Sequence, residues 1–141
     1  MRRSRLNQTI CSAAIHCNGK DPVLVDPELW QHPRLRLNHN FHREQDSVQR
    51  CLNVLQPGTY VRPHRHQRNG SGTGFECFLV LQGAIGLLLF NSEGEIQQQL
   101  HLSANGPTHG IEIAEDQFHT LVALEASVVP SWGKPLRKSL S

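Results

Sequence analysis

The chain has 141 residues, 14 Lys and Arg against 12 Asp and Glu, and 38% apolar residues. That length gives one domain with one core and is too short for two, and a net charge of +2 excludes the basic excess of a non-specific nucleic-acid binder. Eleven Gly and eight Pro predict many turns and short strands, and nine His in so small a chain make a metal site worth seeking.

No apolar run reaches the length of a membrane span. The segment Met1 to Lys20 starts basic and is then too polar for the apolar stretch of a secretory signal. Cys11, Cys17, Cys51 and Cys77 form no C-x-x-C pair. They read as reduced thiols of a cytoplasmic protein, not as a disulfide framework or a cysteine zinc site.

Taken in chain order, residues 1–45 read as an irregular arm broken by Pro22, Pro27 and Pro33. Asp26-Pro27-Glu28 resembles a helix start and predicts a short helix near Glu28 to Leu37. The character changes from residue 47. Apolar and β-branched runs are predicted as strands at 47–55, 59–63, 75–81, 84–90, 95–102, 111–113 and 120–124, and a last one begins at Val128. Turn signals separate them at Gln56-Pro57-Gly58, Gln82-Gly83, Asn91 to Gly94 and Ala104 to Pro107, with a Gly/Ser loop at 67–74. Seven or eight short strands so punctuated predict an all-β, antiparallel sandwich or barrel over residues 46–130. Residues 131–141 read as a mobile basic tail. The strand 84–90 is apolar on both faces, which fits either a strand between two layers or the contact face of a homodimer.

The chemistry centres on Gly58-Thr59-Tyr60-Val61-Arg62-Pro63-His64-Arg65-His66. In a strand, residues i and i+2 share a face, so His64 and His66 project together and can reach one ion. Glu76 heads an apolar strand, where a carboxylate is costly unless it is paired or metal-bound. His119 opens another. Each also has an ordinary reading, as an exposed strand end or a satisfied rim histidine. If the strand is regular, Tyr60 and Arg62 lie on the face of the two histidines. Tyr60 is then a candidate acid or hydrogen-bond donor and Arg62 a candidate carboxylate or phosphate clamp. The alternatives are core packing for Tyr60 and a rim ion pair for Arg62.

Gly58, His64, His66, Glu76 and Gly83 resemble the first motif of the cupin superfamily, with nine residues between His66 and Glu76 where the motif has three or four. The second motif keeps His119, but Ala114, Asp116 and Ala123 stand where Pro, Gly and Asn are expected. The blocks Asn38 to His42, Val48 to Arg50, Pro57 to His66, Phe78 to Gly83, Gly110 to Ile113 and Phe118 to Leu124 are similar, in order, to the WbuC family of cupin-fold metalloproteins. The resemblance spans about residues 33–126. The chain departs from the family in its broken N-terminal helix and in a C-terminal strand not recognisable after Val128. What the resemblance implies is an antiparallel jelly-roll barrel holding one divalent metal ion (Fe, Mn, Ni, Co or Zn) on His64, His66, Glu76 and His119. It places Asn38, His39 and His42 on an arm near the barrel mouth. It also implies a small polar ligand, a sugar or an acid, and a link to surface-polysaccharide biosynthesis. The function classes left open are a metal-dependent isomerase or lyase, a dioxygenase, and a non-catalytic binding or sensing cupin. Dimers are common in the superfamily. Neither nucleic acid nor membrane is an expected partner.

Overall fold

A computed structural model of the chain describes residues 14–15, 23–24, 34–67 and 74–133. Eleven strands make up its regular structure: β1 (Ala14–Ile15), β2 (Val23–Leu24), β3 (Arg36–Asn40), β4 (Gln49–Leu55), β5 (Tyr60–His64), β6 (Phe75–Leu79), β7 (Ala84–Phe90), β8 (Ile96–Ser103), β9 (Gly110–Ala114), β10 (Phe118–Ala123) and β11 (Ser127–Gly133). β1 and β2 pair with each other. The other nine form two antiparallel sheets, ordered β5-β10-β7-β8 and β3-β4-β11-β6-β9. This is the all-β, antiparallel arrangement expected from the strand pattern, in the jelly-roll form that the resemblance implies, with no helix among the described residues.

Two differences from the sequence reading have physical causes. Residues 36–40, assigned to the arm and to the end of a helix, form β3 and pair along β4 from Arg36 opposite Leu55 to Asn40 opposite Cys51. Pairing with β4 gives partners to the backbone groups of the segment that face that strand. Arg34 and Leu35 form a turn rather than helix, while residues 28–33 of the proposed helix, the loop core 68–73 and residues 134–141 lie outside the described residues. At the other end, Ser127–Gly133 is a full strand between β4 and β6, so the sheet closes and residues 131–133 are not tail. Pro130 tolerates this central place although it has no N–H to give.

The glycines of the first motif have local reasons. Gly58 (φ 81°) and Gly83 (φ 75°) occupy the left-handed region. A Cβ on Gly83 would stand 2.3 Å from the Ala126 carbonyl oxygen, so only glycine lets the 80–84 turn pack there. The core is formed by Leu55, Phe78, Val80, Ile85, Leu87, Leu102, Ile113, Leu121, Ala123 and Val129. Each large member contributes about 1.5–3 kcal/mol by leaving water. On β7, Ile85 and Leu87 enter this core, while Leu88 and Phe90 alternate to the outer face and are half-buried.

Candidate metal centre

β5 and β10 run antiparallel with His64 opposite His119, then Val61 opposite Leu121. Three residues of β5 therefore match two of β10, which is a β-bulge at Arg62–Pro63. Thr120 Oγ1 donates a hydrogen bond to the Val61 carbonyl beside it. The extra residue inverts the alternation. Val61 and His64 both face the interior, whereas Tyr60 is 62% exposed and Arg62 is also exposed. The expectation that Tyr60 and Arg62 point at the histidines is thereby corrected: neither lines the interior cavity. Proline at position 63 has no N–H for the ladder, and a bulge accommodates it.

The ligand atoms of His64, His66, Glu76 and His119 lie within 4.8 Å of one another. Atoms bonded about 2.1 Å from a common ion are at most about 4.2 Å apart, so small side-chain adjustments bring the set onto one ion. Glu76 Oε2 stands 2.9 Å from His66 Nε2 and 3.5 Å from His119 Nε2. Both imidazole nitrogens are buried without a hydrogen-bond partner, an arrangement that is costly in a plain protein interior and natural around a cation. Two of the Nδ1 atoms are held by backbone carbonyls. His64 Nδ1 donates to the Arg62 carbonyl (2.8 Å) and His119 Nδ1 to the Gln117 carbonyl (2.9 Å). These bonds fix the tautomer that leaves each Nε2 lone pair facing the cluster. The useful part of Arg62 is thus its carbonyl. His119 is 1% exposed, and burial, ahead of the neighbouring histidines, holds its pKa below the usual 6.5. Burial thereby favours the neutral imidazole that a ligand must present.

The long insertion between His66 and Glu76 does not separate them, since both ends of the loop are anchored. The degraded second motif is also intact in shape. Asp116 adopts φ 67°, the conformation that a glycine would supply. Its N–H donates to the His66 carbonyl (3.1 Å), and its carboxylate lies 3.4 Å from Arg65 Nε. The Arg65 guanidinium in turn sits over the Phe118 ring at 4.9 Å. The turn before His119 is therefore tied directly to the His64–His66 segment.

A cavity of about 590 Å³ opens onto the cluster. Leu55, Phe78, Leu121 and Val129 belong to both its wall and the core. Its polar wall is Arg34, Arg36, Asn38, Gln49, Cys51, Asn53 and Ser131, beside His64, His66 and Glu76. Asn53 Nδ2 donates to the Val129 carbonyl (2.9 Å) and to Ser131 Oγ (3.1 Å). Burial pushes the Cys51 thiol up, with the Glu76 charge adding to it, so Cys51 lines the cavity as a neutral group. Of the arm residues singled out in the sequence, Asn38 reaches the cavity. His39 faces away from it and packs edge-on against Phe41, with ring centroids 4.9 Å apart. His42 Nδ1 accepts the Arg50 N–H (2.9 Å), which extends the β3–β4 pairing and uses that histidine structurally. Arg34, Arg36 and the inward row Gln49, Cys51, Asn53 escaped the sequence reading. The row has period two within a predicted strand, a signal that was present; the arginines had none, because their segment was not read as a strand.

Two facing antiparallel sheets with a three-His, one-Glu cluster inside define a cupin-type barrel, and comparison with solved structures agrees on the fold. KdgF from a Halomonas species superposes with a TM-score of 0.55 at 23% identity, over 75% of this chain and 84% of that one. A cupin superfamily protein from Desulfitobacterium hafniense gives 0.53 at 16% identity, over 72% and 78%. Oxalate oxidase, solved with the substrate analogue glycolate, gives 0.58 at 13% identity; the match takes 76% of this chain and about half, 54%, of that enzyme. No curated protein matches by sequence. The chain belongs to the family described as Domain of unknown function (DUF6016), which matches residues 28–102, more than half of its length.

Proposed function

We propose that the protein is a WbuC-type cupin metalloprotein that holds one divalent ion on His64, His66, Glu76 and His119 and acts on a small polar ligand, a sugar or an acid. The observation that carries this is the convergence of the four side chains within 4.8 Å, with two orphaned, buried imidazole nitrogens among them. Three neutral imidazoles and one carboxylate leave about one positive charge on a divalent ion, and leave coordination positions open toward the cavity. Such an ion supplies Lewis acidity for isomerase or lyase chemistry, or oxygen activation when it is iron or manganese. The chain's own part is to fix the imidazole tautomers through the Arg62 and Gln117 carbonyls, and to wall the site from bulk water with Phe78, Leu121 and Val129. Asn38, Gln49 and Ser131 offer hydrogen bonds to ligand hydroxyls. That oxalate oxidase has been solved with glycolate is in keeping with a small acid in a barrel of this shape.

The reading extends to a cytoplasmic homodimer, active in surface-polysaccharide biosynthesis. Cys51 and Cys77 are free thiols, which suits a reducing compartment. No helix of the described residues is long and apolar enough to cross a membrane. On the outer face of the four-stranded sheet, Phe118, Phe90 and Ile96 align across three strands, a surface of the kind that a second copy covers.

Elemental analysis of the purified chain beside His64→Ala tests the centre. About one equivalent is expected in the wild type and a large loss in the variant; equal, sparse metal in both would sink the assignment. Oxygen uptake and carbonyl isomerisation over a panel of sugars and keto acids then separate the two chemistries. A melting shift with ligand but no turnover assigns the non-catalytic, sensing role instead.

A further inference from the structure

The cavity has a charge imbalance that the metal ligands do not explain. Glu76 is the single acidic residue in its wall, and it stands beside His66 and His119, 2.9 and 3.5 Å from their Nε2 atoms. Arg34 and Arg36 stand in the same wall. Arg36 is half-buried on β3 and has no ion pair within the described residues. Arg36 thus brings to the wall a guanidinium that no carboxylate among the described residues meets, and a bound divalent cation would add to the positive charge there. A partly desolvated guanidinium without a carboxylate draws an anion from solution.

We propose that Arg36 is the specificity-determining residue of this cavity, binding the carboxylate of a small polyhydroxylated acid. The planar fork of one arginine matches a carboxylate in two parallel hydrogen bonds. Asn38, one pleat along the same strand, and Gln49 on the neighbouring strand β4 also line the cavity and provide neutral partners for the hydroxyls of such a molecule. This deepens the reading above in its choice of ligand. The anion clamp lies on β3, apart from the four metal ligands on β5, β6, β10 and the segment after β5, so the two ideas can fail separately.

The test uses a matched pair of probes on the metal-loaded full chain. Gluconate and sorbitol carry the same hydroxyl chain and differ by a carboxylate at one end. Calorimetric titration is expected to give gluconate at least about tenfold tighter binding than sorbitol, the range of one charged hydrogen-bond pair. Arg36→Ala should abolish that preference while keeping the metal content of the wild type. Arg36→Lys, which retains the charge without the fork, should restore part of it. The proposal is overturned by equal affinities for the two probes, by binding of neither, or by an Arg36→Ala protein that is folded and retains the preference. Loss of metal in the wild type with the gluconate preference intact would overturn the metal reading and leave the clamp standing.

Discussion

At φ 67°, Asp116 occupies backbone space that short polar side chains tolerate and branched ones do not. Its N–H and carboxylate pin the turn to the segment bearing His64 and His66, so the turn and the ligands move together. Asp116→Gly should leave metal content unchanged. Asp116→Val should lower stability by about 1–3 kcal/mol and weaken metal uptake, measured by thermal melting and by titration with a chelator dye. His119 carries a second prediction. Its folded pKa is depressed, chiefly by burial, below the unfolded value near 6.5. The unfolded chain then binds more protons than the folded one in acid, so this group's contribution is fully present above about pH 6.5 and is lost as pH falls toward the folded pKa. Denaturant titration of metal-free protein should show a larger loss between pH 7.5 and 5.5 in the wild type than in His119→Gln, where no such group titrates.

One extra residue in β5 decides which side chains see the cavity. Had Pro63 not been accommodated as a bulge, Tyr60 and Arg62 would stand where Val61 does, and strand parity would have been a sound guide. Tyr60→Phe and Arg62→Ala should therefore retain metal content and gluconate affinity within about twofold, since the imidazole of His64 uses only the carbonyl of residue 62. A tenfold loss in either would contradict the placement. The same element explains how much was legible beforehand. Alternation and turn residues located β4 through β10 because those strands are bounded by Gly58, Gly83 and Gly94, each in the left-handed region. The four candidate ligands were legible from motif spacing. The bulge was not, because it depends on the partner strand's register. Nor was β3, which is held by pairing with β4 rather than by any pattern of its own.

For the whole molecule, the outer face of the four-stranded sheet is the feature least accounted for by a lone barrel. Ile96 is 59% exposed at the end of a row that includes Phe90 and Phe118. If two copies meet there, light scattering should report a dimer for the wild type and a monomer for Ile96→Glu. Ile96 is exposed and outside the core, and circular dichroism checks that the variant is folded. A monomeric wild type would remove the dimer from the proposal and leave the metal centre untouched.

The position of β11 has a consequence for how the molecule comes into being. Within the five-stranded sheet, β4 and β6 touch only through it, although they are made long before it. A ribosome that has released residues up to 126 has delivered every candidate ligand, yet the strand that joins Glu76's half of the sheet to the rest is still missing. Assembly must wait for the end of β11 at Gly133, the last residue described, and the waiting chain exposes two unpaired strand edges to its neighbours. The barrel is thus fastened by its final stitch, and a polypeptide stopped a few residues early would carry all the ligands of the centre without a place to hold them.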